Sequence, residues 1–263
     1  MRRLRRLVQK RSLRWSEGVC VLEGPDLVEA GLEGDVEFEA VYVDGAHASS
    51  PVIERLVERC AQRGVRVFAL ERGVLEKIAD TQTPQPVLAA ARFVTTAPET
   101  LDARGLTLVL HDLRDPGNAG TIVRSADAAG VSAVVFTGQS VDPYNPKTLR
   151  ATAGSIFHLP IAVGDLAATL SHLRSCGATT LATVVRGGAS HRDVDLTASC
   201  VVVVGNEASG LDDESVALCD RTISIPMAGR SESLNAGVAA SLIVFEALRQ
   251  RQDAAATPLP PSL

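Results

Sequence analysis

The stretch "CVVVVGNE", Cys200 to Glu207, limits most sharply what this chain can fold into. Four valines in a row leave no polar face, so a strand formed here has to be covered on both sides. Four further segments between Leu106 and Pro226 behave alike: "LTLVLHDL", "VSAVVFTG", "TTLATVV" and "RTISIP". Helical stretches separate them. Near-continuous apolar strands alternating with helices are the pattern of a largely parallel α/β sheet with helices on both faces.

Residues 19 to 93 read as a smaller α/β unit. There "AVYVD" and "VRVFAL" have strand composition, and "SPVIERLVERCAQRG" has helical periodicity closed by Gly64. The polar interval "TTAPETLDARG" follows. We therefore expect an N-terminal domain over 1–97, a linker over 98–105, a sheet-bearing domain over 106–251 and a frayed tail over 252–263. The last helix is expected from about Leu234 to Arg251.

A chain of 263 residues can bury a substantial core in two unequal domains. With 46% hydrophobic and 22% charged residues it has a soluble, globular composition, and its few aromatics argue against base stacking as a main binding device. No run approaches the roughly 20 apolar residues of a membrane span, and the basic N-terminus lacks the apolar core of a signal peptide, so the expected location is cytoplasmic. Cys20, Cys60, Cys176, Cys200 and Cys219 show no CxxC spacing and read as buried, reduced residues.

The net charge of -5 is uneven. The first fourteen residues, "MRRLRRLVQKRSLR", hold seven basic residues and no acidic one, which leaves 19 basic against 31 acidic residues in the remainder. Two readings stay open: an arm that contacts phosphates, or a solvated amphipathic helix with Leu4, Leu7 and Val8 packed inward.

In a parallel sheet, ligands gather beyond the carboxyl ends of the strands, and three such places carry chemistry-bearing residues. In "DLRDPGNAGTIVRSADAAG" the strand ending near His111 leads into a helix for which Asn118 is a good N-cap, with Arg124 six residues on. Taken singly, these read as a cap and a solvated charge. In "VVVVGNEASGL", Gly205 can let a ligand approach the backbone and Glu207 follows a buried strand directly. In "ISIPMAGRSESLNAGVAAS", Ser231, Glu232, Ser233 and Asn235 crowd the start of the last helix beyond the needs of a capping box, and small residues follow. An alanine-rich core helix with a redundant cap is the plainer reading.

There is no phosphate-loop, dinucleotide-fingerprint or nucleophile-elbow motif. The five histidines have no metal-ligand spacing, so no metal is expected; His111, beside Asp112 at a strand end, is the one worth following.

With these residues in view, the sequence resembles the SpoU branch of the SPOUT superfamily, S-adenosylmethionine-dependent RNA ribose 2′-O-methyltransferases. "NAGTIVRSADAAG", "VVVVGNEASGL" and "IPMAGRSESLNAGVAAS" are similar to the family's three motifs in order, and "VLEGPDLVEA", Val21 to Ala30, is similar to the start of the ribosomal-protein-like substrate domain of many members. The resemblance implies a C-terminal α/β domain with a deep trefoil knot and a smaller N-terminal α/β substrate-binding domain. It also implies a homodimer with sites near the subunit interface, and structured RNA as partner. On matching positions it implies Asn118, Arg124, Glu207, Ser233 and Asn235 for catalysis or substrate handling, and Gly205, Ile225, Leu234 and nearby Met227 for the cofactor.

The implied chemistry is methylation of a ribose 2′-oxygen, with 23S ribosomal RNA expected and transfer RNA as the alternative substrate. A non-catalytic RNA-binding module is the rival from another class. Methyl transfer needs the oxygen in line with the sulfonium methyl and its proton drawn off, which Ser233, Asn235 and Arg124 suit as positioning groups. At its ordinary pKa, freeing an arginine of its proton at pH 7 costs roughly 7 kcal/mol or more, which favours Arg124 as a phosphate clamp over a base.

Overall fold

Helical spacing of Leu4, Leu7 and Val8 winds the basic N-terminus into α1 (Arg2–Gln9), followed by α2 (Arg11–Glu17), which Gly18 ends in the left-handed conformation. The computed structural model describes residues 1–79 and 83–256. These form two compact units, one drawn from residues 1–94 with 142–158, the other from 95–141 with 159–256.

The first unit continues with β1 (Val19–Glu23), α3 (Pro25–Glu33), β2 (Phe38–Asp44), α4 (Pro51–Gln62), β3 (Val67–Leu70) and β4 (Val87–Arg92). Pro51 at the first helical position and Ser50, whose hydroxyl accepts from the Ile53 N–H, start α4 where the sequence places it. The sheet runs β1-β4-β2-β3, with β4 antiparallel to β1 and β2 and β3 parallel to β2. Leu4, Leu7 and Val8 pack with Val19, Val21, Leu75, Ile78, Leu88 and Ala90, so the inward half of the arm is core.

The second unit begins with β5 (Leu106–His111), α5 (Pro116–Ala128) and β6 (Ala133–Thr137). Residues 142–158, carrying α6 (Pro146–Thr152), then belong to the first unit. The second resumes with β7 (Ile161–Gly164), α7 (Leu166–Ser175), β8 (Thr179–Thr183), β9 (Ala189–Ser190), β10 (Cys200–Val204), α8 (Asp213–Ala217), β11 (Arg221–Ser224) and α9 (Ala236–Ala256). All neighbours in its seven-stranded sheet, β7-β6-β5-β10-β8-β11-β9, are parallel. The five apolar segments of the sequence became β5, β6, β8, β10 and β11. β7 and β9 were not among them. Every residue of β10 is buried, and Val201 and Val203 pack with Val109, Val135 and Leu166, Leu170 and Leu173 of α7.

The last helix begins two residues later and ends five residues later than its spacing suggests, at Ala236 and Ala256. Of the expected tail, residues 257–263 lie outside the described residues. Cys20, Cys60 and Cys200 are buried, but Cys176 is exposed, because it caps the surface end of α7. Among the described residues no helix is long and apolar enough to cross a membrane.

Candidate active site

Parallel strands bring the loops after β5, β10 and β11 to one edge of the second unit's sheet. After β5, Asp115 rather than Asn118 caps α5: its carboxylate accepts from the Asn118 N–H at 2.7 Å, and Pro116 takes the first helical position. Asp followed by Pro is the stronger start signal, and it leaves the Asn118 side chain free for other partners.

That side chain meets Glu207. One Glu207 oxygen accepts from the Asp115 N–H at 2.9 Å and from the Asn118 amide at 3.2 Å; the other accepts from the Arg114 N–H at 3.2 Å. Burial pushes the Glu207 carboxyl up, but these donors outweigh it and hold its pKa below the ordinary carboxylate value. Its contribution is therefore present above the usual carboxylate range and is lost as pH falls through the lowered folded value. A carboxylate so engaged is a clamp on the start of α5, not a proton acceptor.

The third loop joins through Asn235, whose amide donates to the Asn118 side-chain oxygen at 2.9 Å. Its own oxygen accepts from the Val238 N–H at 3.2 Å, so Asn235 caps α9. The acceptor-only carboxylate at one end and the helix N–H at the other fix both amides in one orientation. Ser231 and Ser233 precede the helix instead of lying on its first turn, because Asn235 sets the start; the Ser231 hydroxyl donates to the Ser233 carbonyl at 2.8 Å.

Beside this network lies a cavity of about 240 Å³. Gly205, Glu207, Ile225, Met227, Ser233 and Leu234, all singled out in the sequence, line it. Thr183 at the end of β8, Val184 and Val185 beyond it, and Ala236, Ala239 and Ile243 of α9 line it too and were not singled out as lining. The loop after β8 obeys the same strand-end rule but carries no polar cluster to draw attention. The Arg114 and Asp115 donors are main-chain groups, which leave no residue signature.

Gly205 serves an additional end that its sequence does not show. An ideal Cβ on it would lie 2.5 Å from the Leu211 nitrogen and 2.6 Å from the Gly210 carbonyl oxygen, so its bareness admits the returning 206–210 turn while its backbone stays on the cavity wall. That turn closes by paired hydrogen bonds between the Asn206 and Gly210 backbones, and the Asn206 amide donates to the Asp112 carbonyl at 2.8 Å. Gly205→Ala should displace the turn, lower stability by about 1–3 kcal/mol and weaken ligand binding in the cavity; thermal unfolding and calorimetry check both.

Arg124 stands apart. It is exposed on α5, and its side chain has no hydrogen bond or ion pair among the described residues. His111 pairs its Nδ1 with the Thr137 hydroxyl at 2.9 Å, a packing role in the sheet edge.

Residues 105–245 match the SpoU rRNA Methylase family, and residues 1–89 match the MRM3-like substrate binding domain. The chain is 30% identical over 225 residues to the 23S rRNA (guanosine(2553)-2'-O)-methyltransferase RlmP of Bacillus subtilis, covering 86% of each. It is 38% identical over 256 residues to the 23S rRNA (uridine(2479)-2'-O)-methyltransferase of Streptomyces viridochromogenes, covering 93% of this chain and 88% of that one. The crystal structure of the SpoU methyltransferase AviRb from Streptomyces viridochromogenes, in complex with AdoMet, superposes with a TM-score of 0.84 at 29% identity over 95% of this chain and 97% of that one.

Proposed function

This chain belongs to the SpoU rRNA methylase family, and from that membership we propose that it methylates a ribose 2′-oxygen in structured RNA, 23S ribosomal RNA in particular, with S-adenosylmethionine as donor. The observation that carries the reading is the hydrogen-bonded line Glu207–Asn118–Asn235, which ties three separate strand-end loops together beside one cavity. The activities for which its relatives are named support the substrate. That substrate in turn sets the cytoplasm as the place of action.

The residues present fit S-adenosylmethionine. Val184, Val185, Ile223, Ile225, Leu211 and Met227 give apolar walls suited to an adenine ring. The backbone N–H groups of Met227 and Leu234 have no partner among the described residues, so main-chain donors remain for the ring edge. When bound, the cofactor supplies an electrophilic methyl on a sulfonium. This chain's residues do the remainder: Glu207 locks the start of α5, Asn118 and Asn235 hold each other in one orientation, and Ser233 on the cavity wall offers a hydroxyl to orient the ribose. Arg124, unpaired and charged, is free to clamp the phosphate next to the reacting nucleotide.

We assign the working form as a homodimer. Val238, Leu242 and Phe245 of α9 are 49%, 44% and 47% exposed at helical spacing, an apolar stripe along the helix that closes the cavity. Leu242→Glu should convert a dimer to monomer in sedimentation equilibrium; an unchanged mass would refute this stripe as the contact.

The deciding experiment pairs calorimetry with S-adenosylmethionine and mapping of 2′-O-methylation in ribosomal and transfer RNA from cells with and without the protein. Saturable binding together with a 23S position that loses its methyl supports the proposal. No heat and no saturation would favour a non-catalytic RNA-binding module, and a lost methyl only in transfer RNA would replace the substrate.

A further inference from the structure

The site uses nothing from the first seventeen residues, yet α1 is held together against its own electrostatics. Its first turn has no acidic residue. Arg2, Arg5 and Arg6, with Lys10 just past its end, are exposed, and their side chains have no hydrogen bond or ion pair among the described residues. Arg2 lies three and four residues from Arg5 and Arg6, and Arg6 four from Lys10. Like charges at these spacings disfavour a helix, as does positive charge at its N-terminus.

Three neighbouring arginines are already engaged, Arg11 over the Trp15 ring at 6.0 Å to its centroid and two others in ion pairs. Arg3 pairs with Glu17 and Glu39, both at 2.6 Å, and Arg14 with Asp142 at 2.6 Å. The four free cations therefore remain on the arc opposite Leu4, Leu7 and Val8, which are buried in the core. Unpaired like charges kept on a helix that they weaken call for a polyanion to neutralise them.

We propose that the outward face formed by Arg2, Arg5, Arg6 and Lys10 is a phosphate-binding surface for the backbone of the RNA substrate. It rests on the functional reading above and adds where the RNA is held. The remainder of the chain, with 19 basic and 31 acidic residues, repels RNA, so attraction has to come from a local surface of this kind. An anionic membrane is the poorer fit: a helix that lies in a bilayer needs a free apolar face, and this one has spent its leucines on the core. The contact reads phosphates and not bases, so it is indifferent to sequence.

The test uses the full chain with Arg2, Arg5, Arg6 and Lys10 all changed to Gln, which keeps helix propensity. A second variant carries Arg2→Lys, Arg5→Lys and Arg6→Lys. Binding to a transcribed 23S ribosomal RNA fragment and to an unrelated hairpin of equal length is measured from about 50 to 300 mM salt. The Gln variant should bind both RNAs at least about tenfold more weakly near physiological salt, with the slope of log K against log salt flatter by about three to three and a half. The Lys variant should keep the wild-type slope. Single Arg5→Gln and Lys10→Gln variants, which disturb the helix least, should each flatten it by about 0.7–0.9.

S-adenosylmethionine binding by the Gln variant, followed by calorimetry, should match wild type. If wild type itself binds no S-adenosylmethionine, the functional reading fails while the salt slopes still judge the arm. Wild-type slopes in the Gln and single variants would overturn the proposal. So would loss of binding to anionic phospholipid vesicles with RNA binding intact.

Discussion

Arg14→Met should lower the stability of the first unit by about 3–5 kcal/mol. Arg14 is only 2% exposed, and its guanidinium donates to Asp142 at 2.8 and 2.6 Å and to the carbonyls of Leu7 and Val8 at 2.7 and 3.1 Å. Methionine preserves much of the stem but none of the donors. Asp142 would then stay buried with only the Trp15 indole N–H and the Tyr144 N–H as donors, and the last carbonyls of α1 would lose their partner. Removing one member of a buried pair is far costlier than removing both. Arg14→Met with Asp142→Leu should accordingly recover a good part of the loss. Trp15 is the only tryptophan of the chain and touches Phe93 and Tyr144 edge-on, at 5.3 and 6.4 Å between ring centroids, so its fluorescence reports the transition. A loss below about 1 kcal/mol for the single change would show that solvent reaches the pair.

Arg124→Lys should cost about a hundredfold in kcat while S-adenosylmethionine still binds normally. Lysine keeps the charge but lacks the planar fork that grips two phosphate oxygens at once, and misplacing a reacting oxygen by about an ångström is enough for a loss of that size. Since the Arg124 side chain makes no bond within the chain among the described residues, the substitution leaves nothing unpaired and folding should be unaffected. A pH–rate profile adds a second readout. If Arg124 clamps phosphate, the profile keeps its shape; if it were the base, lysine, with its lower ordinary pKa, would move the rise of rate with pH to lower pH. Near-normal turnover would dismiss both roles.

The sheet was legible because its central strands are apolar on both faces, as in "CVVVVGNE". The edge strands β7 and β9 were not read: β9 has only two residues, and β7 has four, with Gly164 closing a short apolar run. At the site, residue type located Glu207, Ser233 and Asn235, yet it misassigned the cap of α5. Asn and Asp both serve as caps, and only Pro116 discriminates between Asn118 and Asp115. Gly205 shows most plainly what residue type alone withholds. Its need for space was visible in the sequence, but what fills the space is the Gly210–Leu211 backbone, which only tertiary folding brings there. The amide relay from Glu207 to α9 was equally hidden, since it depends on side chains 89 and 117 residues apart.

The excursion of residues 142–158 into the first unit has a genetic consequence. A chain whose two bodies were joined end to end could be severed, or recombined with a relative, at a single point between them. Here one crossover near residue 95 would hand Arg14 a counter-ion from a different ancestor, because Asp142 is encoded on the far side. Chimaeras exchanging residues 1–94 alone should fold poorly unless the 142–158 insert travels with them, which makes this short segment a barrier to shuffling substrate-recognition modules among relatives.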